Sequence, residues 1–189
     1  MFEMGVLNNR GKFNQDLDTE RIRKNNGVWE YVLAYEDQTQ IGRDITISEI
    51  DIDNLIRAKG AVYSGCMTLL EEVGFSMDMI ERIILAGGFG SYIDLEKAMT
   101  IGLLPEIDAE RVIFIGNGSL MGARMSSLTN RIRKDVVEVT KKMTNFELSE
   151  TPSYMDHYVA AMFIPHTEIE KFPKVKERVA AWKALVSRN

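Results

Sequence analysis

The sequence predicts an α/β domain, and three observations carry that prediction. Two short apolar runs, Ile83-Ile84-Leu85-Ala86 and Val112-Ile113-Phe114-Ile115, are too short for helices and read as strands. Each runs straight into a glycine turn, Gly87-Gly88-Phe89-Gly90 and Gly116-Asn117-Gly118, and a helix-type pattern follows each turn. The two turns lie about thirty residues apart, the length of a strand–helix–strand unit. Strands this apolar are expected to be buried on both faces of a sheet. If they are parallel, both glycine turns fall at the same end of it.

The remaining elements follow in chain order. Met1 to Leu7 reads as the last turns of an apolar helix, and Asn8-Asn9-Arg10-Gly11 as a turn. Residues 12–27 read as polar and irregular, closing on Asn26-Gly27, a hairpin-type turn signal. Val28 to Tyr35 is a strand candidate rich in aromatic and β-branched residues, and Thr39 to Ile47 a second, shorter one. Ser48-Glu49-Ile50-Asp51 is a capping box, predicting a long helix that ends at Gly74. Gly60 and Gly65 inside it each cost about 1 kcal/mol, which suggests close packing or close approach of a ligand. Phe75 to Ile80 reads as a short helical turn. Asp94 is a good N-cap for Leu95 to Ile101, with Gly102 and Pro105 ending that helix. Asn130 to Met143 reads as a basic helix with a solvated face, and Phe146-Glu147-Leu148 as an edge strand. Thr151-Pro152 opens a helix from Tyr154 to Phe163, and Ile164-Pro165-His166-Thr167 breaks it. A polar helix containing Trp182 ends the chain.

Composition bounds the function. The 189 residues are 45% hydrophobic and 27% charged, an ordinary globular balance able to bury a core. The net charge of −5 is unlike the basic footprint of a nucleic-acid binder, so no nucleic-acid partner is expected. No apolar run reaches membrane-span length and the N-terminus lacks a secretory pattern, so neither membrane insertion nor export is expected. The single cysteine, Cys66, reads as a small buried hydrophobe and fits a cytosolic setting. It excludes an iron–sulfur site built from this chain's cysteines alone. His157 and His166 lie far apart, and His166 reads as a capping or surface histidine.

The glycine turns are the candidate site. They supply backbone that can take positive φ, an approach unobstructed by Cβ atoms, and a helix N-terminus for phosphate. They are neither a P-loop, since no Lys-Ser/Thr follows, nor a complete dinucleotide fingerprint. A nucleotide-sized ligand is the functional reading. A doubly wound sheet whose turns are tight for packing alone stands beside it.

One set of motifs goes further. Arg43-Asp44-Ile45, Asn54 to Lys59, Ile84 to Gly90, Ile101 to Pro105, Gly116 to Ala123, Phe163 to Thr167 and Phe172-Pro173 together resemble the C-terminal part of the reductive activators of corrinoid proteins. That family belongs to the actin, chaperone and sugar-kinase superfamily. The resemblance implies an actin-like ATPase (ribonuclease H-like) lobe, a mixed sheet flanked by helices, over residues 1–175, followed by a helical tail over 176–189. It implies part of a longer protein that uses ATP or ADP with Mg²⁺ and an iron–sulfur cluster in a domain this chain lacks. The partner implied is the corrinoid protein of a methyltransferase system, which is returned from Co(II) to Co(I). A homodimer stays open. Gly87, Gly88, Phe89 and Gly90 match the adenosine motif, and Gly116, Asn117 and Gly118 open the second connecting motif, a helix packed at the domain hinge. Arg57 and Lys59 fall on the helix that lines the adenine side in related chaperones.

The sequence also departs from the complete pattern. It has no phosphate hairpin upstream of the glycine turns and no cysteine-rich module. Phosphoryl transfer depends on positioning and charge stabilisation, so weak or undetectable ATPase is expected of this chain alone. Two other readings stay open: a docking domain that binds the corrinoid protein without nucleotide, and part of an acyl or sugar kinase.

Overall fold

The computed structural model describes residues 1–186, apart from the side chains of Phe89, Ser91 and Val186. The last residues of the expected tail, 187–189, lie outside the described residues.

Strands β1 (Ile22–Asn25) and β2 (Val28–Ala34) form a hairpin in which Asn25 faces Val28. Its two-residue turn puts Asn26 at φ 49° and Gly27 at φ 86°, the geometry that favours Asn-Gly in tight hairpins. Strand β3 (Ile45–Ser48) adds antiparallel to β2, giving the order β1-β2-β3. Helix α1 (Glu49–Glu72) follows at once. Its capping box is complete: the Ser48 hydroxyl accepts from the Asp51 amide, and Asp51 accepts from the Ser48 amide. Gly74 at φ 71° closes it.

Three cores hold the chain together, two of them on this frame. Ile52 and Ile56 of α1 pack with Leu7, Phe13 and Ile164, with Trp29, Tyr31 and Ile47 from the sheet against them. Two turns on, Tyr63 packs with Ala161, Phe172 and Val175. Here α1 crosses α6 (Pro152–Ala161), and Gly60 makes the approach close. A Cβ on Gly60 would meet Tyr158, the Ala161 carbonyl oxygen and the Met162 sulfur at ordinary contact distance. An alanine would therefore fit at position 60, and the crossing does not by itself require glycine there. The third core joins Ala98 and Met99 of α3 (Leu95–Thr100) to Leu104, Ile107 and Val112.

The second sheet holds strands β4 (Ile83–Ala86) and β5 (Val112–Gly116), which are parallel. Each feeds a helix, α2 (Gly87–Tyr92) after β4 and α4 (Gly118–Leu128) after β5. Helix α5 (Asn130–Thr140) packs on α4, and α7 (Pro173–Val186) ends the described chain.

Several expectations are corrected. Met1 to Leu7 is a series of turns with Gly5 at φ 71°, packed against Ile52 and Ile56 of α1. Ile22–Asn25, read as irregular, is a strand, paired because its hairpin partner β2 is strong. Phe146-Glu147-Leu148 forms no strand, since the chain there turns into a 3-10 segment at Leu148–Glu150 ahead of α6. The single mixed sheet is two sheets among the described residues, one antiparallel and one parallel. Strand β4 is not buried on both faces: Ile83 and Leu85 are half-buried while Ile84 is 60% exposed, because nothing described covers its second face. Cys66, read as buried, is exposed, and partial desolvation raises its thiol pKa. Helix α7 begins at Pro173, and Val175 and Phe172 at its base are fully buried.

Candidate functional site

The register of β4 and β5 positions the site. Ile83 pairs with Val112 and Leu85 with Phe114, and after a local irregularity Ala86 pairs with Gly116. Both strands therefore end side by side. At that end each chain turns through a positive-φ glycine, Gly87 at 91° and Gly116 at 63°. The turn is tighter than a loop: the glycine run is itself the body of α2. Asn117 caps α4, its side-chain oxygen accepting from the Leu120 amide at 2.9 Å.

The glycines here answer to different physical needs. Gly87 and Gly116 supply a backbone conformation that other residues rarely adopt. Gly90 and Gly118 supply room. A Cβ on Gly90 would stand 3.3 Å from the Leu85 Cβ, and one on Gly118 would stand 3.3 Å from Ile115 and 3.7 Å from Ala86. Gly88 answers to neither need: its φ is ordinary and a Cβ there would meet nothing within 4 Å. The side chain of Phe89 lies outside the described residues.

The two basic candidates on α1 are elsewhere. Helix α1 packs on α6, β2 and β3, whereas α2 packs on β4 and β5. Arg57 is exposed and pairs with Asp53 one turn back, at 2.7 Å. Lys59 is 1% exposed, and its ammonium donates to the carbonyl oxygens of Phe163 and Pro165. Among the described residues no carboxylate answers its charge, and burial pushes its pKa down to about 7. Lys59 is thus a structural tie rather than a residue that faces a ligand. Its position next to Gly60 at the α1–α6 crossing was the only sequence hint.

His166 belongs to the same tie. It is buried, not on the surface, and burial lowers its pKa to about 4. Its Nδ1 accepts from the Glu168 amide, so it does cap a backbone group. Gly102 completes the arrangement at φ 74°, packed so closely on the Pro165 carbonyl that no Cβ fits.

A parallel strand pair with two strand-to-helix turns at one end, beside a separate hairpin sheet and its long helix, defines a lobe of the actin-like ATPase fold. The family model for the C-terminal domain of RACo, the ASKHA domain, matches residues 1–176. The chain belongs to that family. It is 32% identical over 166 residues to the corrinoid activation enzyme RamQ of Eubacterium limosum, covering 84% of this chain and 28% of that protein. It is 35% identical over 104 residues to the [Co(II) methylated amine-specific corrinoid protein] reductase of Methanosarcina barkeri, covering 55% and 19%. A solved structure named as a reductive activator for corrinoid, iron-sulfur protein matches at TM-score 0.81 and 43% identity, over 90% of this chain and 27% of that one. The chain spans less than a third of the length of each of these relatives.

Proposed function

We propose that this chain is the nucleotide-binding lobe of an ATP-dependent reductive activator. Its partner in that role is the corrinoid protein of a methyltransferase system, returned from Co(II) to Co(I). The observation that carries the nucleotide part is Gly88. Neither backbone strain nor internal packing requires glycine there, and what remains is close approach of something outside the chain. An adenosine lying against the backbone of Gly87 to Gly90, with Gly116 and Gly118 at its other side, fits that bare surface. Lys59 and Arg57 take no part in this version of the site, and Asn117 contributes as the cap that holds α4 in place.

The remaining groups fit less well. Among the described residues no three His, Cys, Asp or Glu side chains gather as metal ligands, and Cys66 is the single cysteine. We therefore assign neither the Mg²⁺ that accompanies ATP nor an iron–sulfur cluster to these side chains. In this reading the chain binds and orients the nucleoside end, and the groups that act on phosphate and move the electron belong to the longer proteins. No helix among the described residues is long and apolar enough to cross a membrane.

Calorimetric titration with ATP, ADP and AMP tests the reading. Binding of all three, lost in Gly88→Val, supports it. No binding, with the corrinoid protein still captured, would leave the docking-domain reading in its place.

A further inference from the structure

The opening turns, the stretch from Ile164 to Ile169 and helix α7 border a cavity of about 970 Å³. It lies apart from the glycine turns, none of whose residues lines it. Small-molecule sites commonly measure about 300–1,000 Å³, with mainly apolar walls and a few placed polar groups. The walls here follow that pattern. Phe2, Leu17, Ile169, Val179 and Trp182 line the cavity, and one buried polar ring, His166, stands among them.

His166 carries the argument. Its Nδ1 accepts from the Glu168 amide at 3.0 Å, and burial keeps the ring neutral down to a pH of about 4, so the proton sits on Nε2. No acceptor for that N–H is found among the described residues. The indole N–H of Trp182, in the same wall, likewise has no acceptor among them. Donors held this deep without partners are rare, because water has been lost and nothing has replaced it.

The rim charges cancel. Glu3 is held by Arg178, which leaves Asp16 and Lys183 as one charge of each sign. An ionic ligand gains nothing net from such a rim and still loses its hydration, whereas an uncharged one avoids that cost.

We propose that this cavity is a ligand site separate from the glycine turns, and that it takes an uncharged, mostly apolar small molecule whose oxygen accepts from His166 Nε2. The inference does not rest on nucleotide binding.

Two matched fluorescent probes test it: prodan, a neutral naphthalene bearing a propionyl ketone, and its analogue in which a propyl group replaces the propionyl group. The wild-type chain is expected to bind prodan saturably with Kd below about 100 µM. The propyl analogue, more apolar but without the acceptor, binds at least about fivefold more weakly. In His166→Phe, which keeps a ring between Tyr63 and Phe172, the two probes bind alike. Leu17→Glu places a carboxylate in the apolar wall and weakens prodan at least about tenfold, with the fold checked by circular dichroism. Absence of saturable prodan binding, or equal affinity of the wild-type chain for the two probes, overturns the proposal, and neither result depends on a variant folding. A ketone preference that survives in folded His166→Phe, or prodan affinity unaltered in folded Leu17→Glu, overturns it as well.

Discussion

The ammonium of Lys59 donates to the carbonyl oxygen of Pro165 at 2.7 Å, across 106 positions of sequence. It also reaches the Phe163 carbonyl, so one buried cation ties α1 to the segment that leaves α6. A charge held this way, by dipoles and by no counter-ion among the described residues, has a measurable consequence.

In the folded state the Lys59 pKa is about 7, against an ordinary value of 10.5. Between those values the unfolded chain holds a proton that the folded chain has released. Unfolding then takes up a proton, so this residue's contribution to stability rises with pH from about 7 to about 10 and is flat on either side. Lys59→Met removes that rise. Urea unfolding of both proteins at pH 7, 8.5 and 10 measures it, and parallel curves for the two would refute the buried charge.

Gly102 and Gly88 should respond in opposite ways to alanine. At Gly102 the new Cβ would meet the Pro165 carbonyl and the backbone sits at φ 74°, so a loss of about 3 kcal/mol or more is expected in thermal unfolding.

At Gly88 the Cβ enters open space on an ordinary helical backbone, so stability is unchanged or gains up to about 1 kcal/mol. If a nucleotide rests there, affinity falls while stability does not. A calorimetric titration beside a melting curve separates the two, and unaltered affinity would remove Gly88 from the site.

Glu106 holds the start of α7. One carboxylate oxygen accepts from the Lys174 amide at 2.8 Å and the other from the Val175 amide at 3.3 Å. Glu106→Ala leaves both donors open and removes a negative charge from a helix N-terminus, a loss of about 1–2 kcal/mol. Trp182 lies further along α7, so its emission should shift before the rest of the chain unfolds. An unchanged profile would mean that the apolar base at Val175 suffices.

Much of this was legible beforehand. The capping box at Ser48, the Asn26-Gly27 turn, the Asp94 cap and the paired strand–glycine–helix units are local signals, and each was found where its residues stand. What stayed hidden depended on distant partners. Ile22–Asn25 is a strand because β2 is beside it, and Met1 to Leu7 is not a helix because it packs in turns onto α1. Lys59 reads as a ligand-facing cation because nothing near it in sequence reveals the carbonyls of Phe163 and Pro165. At the glycines, spacing revealed the turns but not which glycine is there for conformation, for packing, or for neither.

The first core also sets an order of assembly. Leu7 and Phe13 share it with Ile164, the Ile164 amide donates to the Asn9 carbonyl, and Glu3 pairs with Arg178. A ribosome makes Leu7 and Phe13 some 150 residues before Ile164. During synthesis Leu7 and Phe13 must wait for Ile164 to emerge, so the opening segment is among the last parts of the chain to reach its native packing.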